Sequence, residues 1–118
     1  MPIILHVEDE KFVRILYKEV FEEHGFQLIG VASGEEALKT LRNTSPDLII
    51  LDIKMPGMGG KAFLKKFHRL GLKIPVVISS AYPYSDLADD VEAYVVKSGD
   101  ISDLVDIVKK LLTSCPAD

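Results

Sequence analysis

Leu48-Ile49-Ile50-Leu51-Asp52 is an unbroken apolar run closed by a carboxylate. A strand with one wet face alternates apolar and polar residues, whereas a strand apolar at every position is covered on both faces. That is the condition of a central strand in a parallel sheet flanked by two layers of helices. Its surroundings agree. Asn43 to Pro46 breaks the pattern before it, and Met55-Pro56-Gly57-Met58-Gly59-Gly60 after it is dense in residues that punctuate structure.

Upstream of this run, Ile3 to Val7 reads as a first strand. A helix follows with Val13, Leu16, Tyr17, Val20 and Phe21 on one face and Gly25 as its stop. Phe26 to Val31 reads as a second strand and Gly34 to Leu41 as a short helix with Ala37, Leu38 and Leu41 turned inward. Downstream, a helix over Ala62 to Leu70 places Phe63, Leu64 and Phe67 in the core, and Pro75 to Ser79 makes a fourth strand. Leu87 to Val91 holds a short helix, Ala93 to Val96 a fifth strand, and Ile101, Leu104, Val105, Val108, Leu111 and Leu112 mark the apolar face of a last helix. Strands and helices therefore alternate from end to end. Right-handed crossovers fold such a chain into an α/β doubly wound parallel sheet of five strands, with functional groups gathered beyond the carboxyl ends of the strands.

Composition bounds the rest. A chain of 118 residues, 47% hydrophobic, fills one domain and is too short for two. Ile3 to Val7 is brief, is interrupted by His6 and runs into Glu8-Asp9-Glu10, so it is neither a signal peptide nor a membrane span, and a cytoplasmic protein is expected. Cys115, the single cysteine, cannot form an internal disulfide and reads as a bland tail thiol. With a net charge of −4 and lysines mixed among acids, no basic stripe is expected, and direct nucleic-acid binding has little support.

The strand ends carry the chemistry. Glu8 and Asp9 close the first strand and Asp52 the third; if those strands are neighbours, three carboxylates converge. Like charges at that distance repel unless a cation sits among them, and hard oxygen ligands with room for water suit Mg²⁺. The plain alternative is that Asp9 caps the helix beginning near Lys11 while Glu8 is solvated. Ser79 and Ser80, followed by Ala81, end the fourth strand, and Lys97 ends the fifth. Each is unremarkable alone. Together they complete a set in which Asp52 is the nucleophile toward phosphorus, with a metal ion, a hydroxyl and an ammonium neutralising the transferred group.

The arrangement resembles the receiver domain of two-component response regulators over essentially the whole chain. Four segments carry the likeness in order: Ile4-Leu5-His6-Val7-Glu8-Asp9-Glu10, Asp52-Ile53-Lys54-Met55-Pro56-Gly57-Met58, Val77-Ile78-Ser79-Ser80-Ala81 and Ala93-Tyr94-Val95-Val96-Lys97. The resemblance implies a flavodoxin-like receiver fold with strand order 2-1-3-4-5, residues 1–118 forming one receiver domain without an output domain. It implies that Asp52 accepts a phosphoryl group from a phosphohistidine on a histidine kinase or phosphotransfer protein. Glu8, Asp9, Asp52 and the backbone carbonyl of Lys54 would hold Mg²⁺. Ser80 and Lys97 would engage the phosphoryl oxygens, and Tyr94 would turn from an exposed to a buried rotamer. Downstream partners of the family read the face of the fourth helix, fifth strand and fifth helix, and homodimers form through that face in some members. Slow self-dephosphorylation would be the only enzymatic activity.

Three departures from the family pattern are visible. Glu8 stands where Asp is usual, Ser98 follows Lys97 where a cis proline is usual, and Gly59 stands where an acid is common. A nucleotide or flavin binder would need a phosphate cradle after the first strand, where Glu8-Asp9-Glu10 instead repels phosphate. A dehalogenase-type phosphatase would need an acid at the position of Lys54. A receiver-like binding module that takes no phosphate is the competing reading that Glu8 and Ser98 permit. His6, His24 and His68 are expected inside a strand and at helix ends, without a phosphohistidine role.

Overall fold

Each apolar run of the sequence becomes a parallel strand, and the strands lie side by side in the order β2-β1-β3-β4-β5. They are β1 (Ile3–Val7), β2 (Gln27–Val31), β3 (Leu48–Asp52), β4 (Val76–Ser80) and β5 (Ala93–Val96). The helices are α1 (Lys11–Glu23), α2 (Gly34–Asn43), α3 (Gly60–Arg69) and α4 (Ser102–Ser114). This computed structural model describes residues 2–52, 60–80, 93–96 and 101–114. The helix expected over Leu87 to Val91 lies outside the described residues, so α4 is the last helix of the sequence reading.

The central strand behaves as its composition requires: every residue of β3 is buried. Alternation along the strands divides the core in two. Leu5, Val7, Ile49, Leu51 and Ile78 pack under α2 and α3 with Ala37, Phe63, Leu64 and Phe67. Ile4, Ile50 and Val77 pack on the opposite face with Tyr17 and Phe21 of α1 and Leu104, Val105 and Val108 of α4. Helix ends are set locally. Glu36 N–H donates to Ser33 Oγ at 3.2 Å and Ala32 N–H donates to Glu36 Oε2 at 3.0 Å, a reciprocal cap that starts α2. Gly25, at φ +88°, stops α1, and the Phe26 N–H reaches back to the Phe21 carbonyl at 3.0 Å. This closing turn takes up Phe26, which is why β2 begins one residue later than its apolar run suggests.

Two expectations need correction. Leu16 does not turn inward: it is 49% exposed, and with Phe12 (82%) and Ile15 it forms an apolar surface patch on α1. The buried stripe is centred on Tyr17 and Phe21, and Leu16 lies about 100° from Tyr17 around the helix axis, at the edge of what the sheet can cover. Nor are the basic residues evenly mixed. Between Asp52 and Asp86 the sequence carries six lysines and arginines and no acid, and Lys65, Lys66, Arg69 and Lys73 lie exposed along and after α3. Averaging over the whole chain hid this segregation. No helix among the described residues is long and apolar enough to cross a membrane.

Candidate functional site

Pairing of β1 with β3 sets Val7 beside Leu51, so the next residue of each strand, Glu8 and Asp52, meets at the carboxyl edge of the sheet. Both continue the row of side chains that contains Ile4, His6, Leu48 and Ile50, and so face the same side. Asp9 follows in the connection to α1. The result is one acidic cluster: each of Glu8, Asp9 and Asp52 offers a carboxylate oxygen within 4.8 Å of the others. Glu8 is 1% and Asp52 4% exposed, while Asp9 is half-buried.

The surroundings hold Glu8 from three directions. Its N–H donates to the Val31 carbonyl at 2.9 Å, locking the end of β1 to the end of β2. Its Oε2 accepts from the Glu10 N–H at 3.2 Å. Its carbonyl accepts from Arg14 Nη1 at 2.7 Å. Capping of α1 by Asp9 is not what the structure contains: the N-cap position belongs to Glu10, without a side-chain cap. A solvated Glu8 is likewise excluded by its burial. A buried acid beside two others is costly unless the charge is compensated. Oxygen-only donors, one of them half-open to water, suit a hard divalent cation that retains part of its hydration shell, and the set therefore fits Mg²⁺.

Arg14 did not emerge from the sequence, because a single basic residue on an amphipathic helix carries no motif. The available signal was Gly30, an isolated glycine inside β2. A Cβ at Gly30 would stand 3.2 Å from Arg14 Cδ, so the bare backbone there lets the arginine stem lie across the strand and reach the Glu8 carbonyl.

Of the remaining sequence-derived residues, Ser79 is buried and pairs in register with Asp52, and Ser80 is the last residue of β4, beside Val96. The backbone of Tyr94 lies in β5 next to Ile78. The side chains of Ser80 and Tyr94, and all of Lys54, Lys97, Ser98 and Gly59, lie outside the described residues. None of the histidines joins the cluster. His6 is buried and stacked on Tyr17 with ring centroids 4.5 Å apart, His24 Nδ1 donates to the Val20 carbonyl at 2.8 Å at the end of α1, and His68 is exposed on α3.

The fold and this edge can be compared with known proteins. Residues 4–109 match the sequence profile of the response regulator receiver domain. Sporulation initiation phosphotransferase F of Bacillus subtilis is 37% identical over 114 residues, which span 92% of each chain. The response regulator TrrA of Thermotoga maritima, solved in complex with Mg²⁺-BeF, superimposes with a TM-score of 0.88 at 38% identity, covering 95% of this chain and all of TrrA. TrrA in complex with the histidine kinase ThkA gives 0.87 at 36% identity, covering 95% of this chain and 99% of that one. The five parallel strands in the order 2-1-3-4-5, the acids at the ends of β1 and β3, and a profile match over most of the chain agree: this protein belongs to the response regulator receiver domain family.

Proposed function

We propose that the protein is a phosphoacceptor switch in which Asp52 takes a phosphoryl group from a phosphohistidine of a histidine kinase or phosphotransfer protein. The observation that carries this reading is the convergence of Glu8, Asp9 and Asp52 within 4.8 Å at two adjacent strand ends. In the transfer, an Asp52 carboxylate oxygen forms a bond to phosphorus as the bond from phosphorus to the imidazole nitrogen breaks. The product is an acyl phosphate. Mg²⁺ held by Glu8, Asp9, Asp52 and the Lys54 carbonyl would supply the positive charge that lets an anionic carboxylate approach an anionic phosphoryl group. Arg14 fixes the Glu8 backbone from behind.

Ser80 and Lys97 are the residues that would engage the phosphoryl oxygens, and Tyr94 the one that would respond. Effector contacts are assigned to the face of the fourth helix of the sequence reading, β5 and α4. The donor has a separate place to seat. Phe12, Ile15 and Leu16 are exposed on α1, which begins two residues after Asp9, and they offer an apolar surface to a donor helix beside the site. Slow self-dephosphorylation is the only catalysis this reading assigns.

Beryllofluoride, a stable phosphoryl mimic, tests the switch without any kinase. Amide NMR with Mg²⁺ and beryllofluoride together should shift Glu8, Asp9, Asp52, Ser80 and Tyr94 well beyond the effect of Mg²⁺ alone. Beryllofluoride without Mg²⁺ should do nothing. Identical spectra under all conditions would remove the switch and leave a binding module that takes no phosphate.

A further inference from the structure

The opposite end of the sheet carries a feature that phosphoryl chemistry does not use. Helices of a doubly wound fold run antiparallel to its strands, so the last turns of α2 and α3 lie where the strands begin, far from Asp52. Between them is a cavity of about 390 Å³ lined by Leu38, Leu41 and Arg42 from α2, Lys66 from α3, and Leu70 and Leu72 from the segment after it. Leu70 is 53% exposed. Arg42 and Lys66 put a cation on each wall, and Lys65, Arg69 and Lys73 continue the positive charge around it. Among the described residues, none of these five side chains has an ion-pair partner.

We infer that this trough is a docking site for an amphipathic helix of a partner protein, one with an apolar ridge and acidic flanks. Charge selects the occupant. The chain is acidic overall at −4, yet the described charged side chains at and beside the trough, Arg42, Lys65, Lys66, Arg69 and Lys73, are all basic. The shape also selects it. A concave slot with leucines on both walls receives the i, i+3, i+4, i+7 ridge of a helix. A lipid surface would call for a convex apolar protrusion. Single-stranded nucleic acid would call for aromatic platforms on which bases stack, and none of the described lining residues is aromatic. Lying across the sheet from the carboxylates, the trough can be filled while a phosphodonor sits on α1.

The probe is a synthetic helix with leucines at i, i+3, i+4 and i+7 and Glu at the flanking positions, titrated into the full chain with isotope-labelled leucine methyls. The expected result is saturable shifts at Leu38, Leu41, Leu70 and Leu72 with Asp52 unmoved. A shuffled peptide of equal composition and the double variant Arg42→Glu/Lys66→Glu should each weaken binding by roughly tenfold or more, the scale of two lost charge contacts. The double variant Lys11→Glu/Lys18→Glu, which makes the same change in net charge on α1 across the sheet, should stay within about twofold and guards against an effect of charge alone. The inference is overturned if the leucine methyls do not shift, or if the shuffled peptide binds equally. It is also overturned if DNA or anionic vesicles fill the trough more tightly, or if sedimentation shows a second copy occupying it.

Discussion

Asp52→Asn will abolish acyl phosphate formation completely, and in the absence of Mg²⁺ it will make the protein more stable. Both effects come from one cluster. An amide has no anionic oxygen to attack phosphorus, and neither Glu8 nor Asp9 ends the central strand, so no neighbour can take over. Stability moves the other way because three carboxylates lie within 4.8 Å. A pair of unit charges at such a distance repels by about 1 kcal/mol in bulk water and several times more near a protein surface. Neutralising Asp52 removes its share of that repulsion, but an amide in a buried site also gives up part of whatever stabilisation the carboxylate's surroundings provide. A net gain of roughly 1 kcal/mol is expected after this offset. Urea unfolding with and without Mg²⁺ measures it: the variant should exceed the native chain without the ion, and the advantage should vanish or reverse with it. A variant less stable than the native chain in both conditions would mean that the acids are not in electrostatic conflict.

The largest loss of stability from a single side chain is expected at Phe21. It is fully buried on the α1 and α4 face of the sheet, and its ring meets Tyr17 at 6.3 Å and Phe26 edge-on at 5.8 Å. Phe21→Ala removes the ring from between two aromatic neighbours and leaves a cavity that the turn at Gly25 cannot close. The expected cost is about 3–5 kcal/mol, against a total stability of roughly 5–15 kcal/mol for a domain of this size. The thermal midpoint should fall by roughly 10–20 °C. Phe12→Ala is the matched control on the same helix; at 82% exposure it should change stability by no more than about 0.5 kcal/mol. Equal losses from the two would mean that α1 packs with a different face toward the sheet.

These contrasts also show what could be read from residues alone. Leu48 to Leu51 identified the central strand because burial on both faces leaves no room for a polar residue, and β3 occupies that run together with Asp52. The acidic cluster was legible for a related reason: residues ending neighbouring parallel strands meet whatever the intervening loops do, so Glu8 and Asp52 needed only the strand order. Strand order itself came from the family resemblance, since apolar patterning gives the faces of a strand and not its neighbours. Leu16 was misread because periodicity detects an apolar stripe without telling its covered centre from its bare edge. Arg14 was missed because it acts on a backbone carbonyl, a contact that leaves no trace in residue types beyond the bare Cα at Gly30. The trough between α2 and α3 was hidden in the same way, its leucines being indistinguishable in sequence from those of the core.

The most direct test of the central claim is intact mass spectrometry of the protein incubated with acetyl phosphate, with and without Mg²⁺. The predicted result is a gain of one phosphoryl group only when Mg²⁺ is present, labile to hydroxylamine as an acyl phosphate is, and mapped to Asp52 by peptide analysis after borohydride reduction. A stable adduct on a serine or histidine, or no adduct from acetyl phosphate or from a phosphorylated histidine kinase, would contradict it.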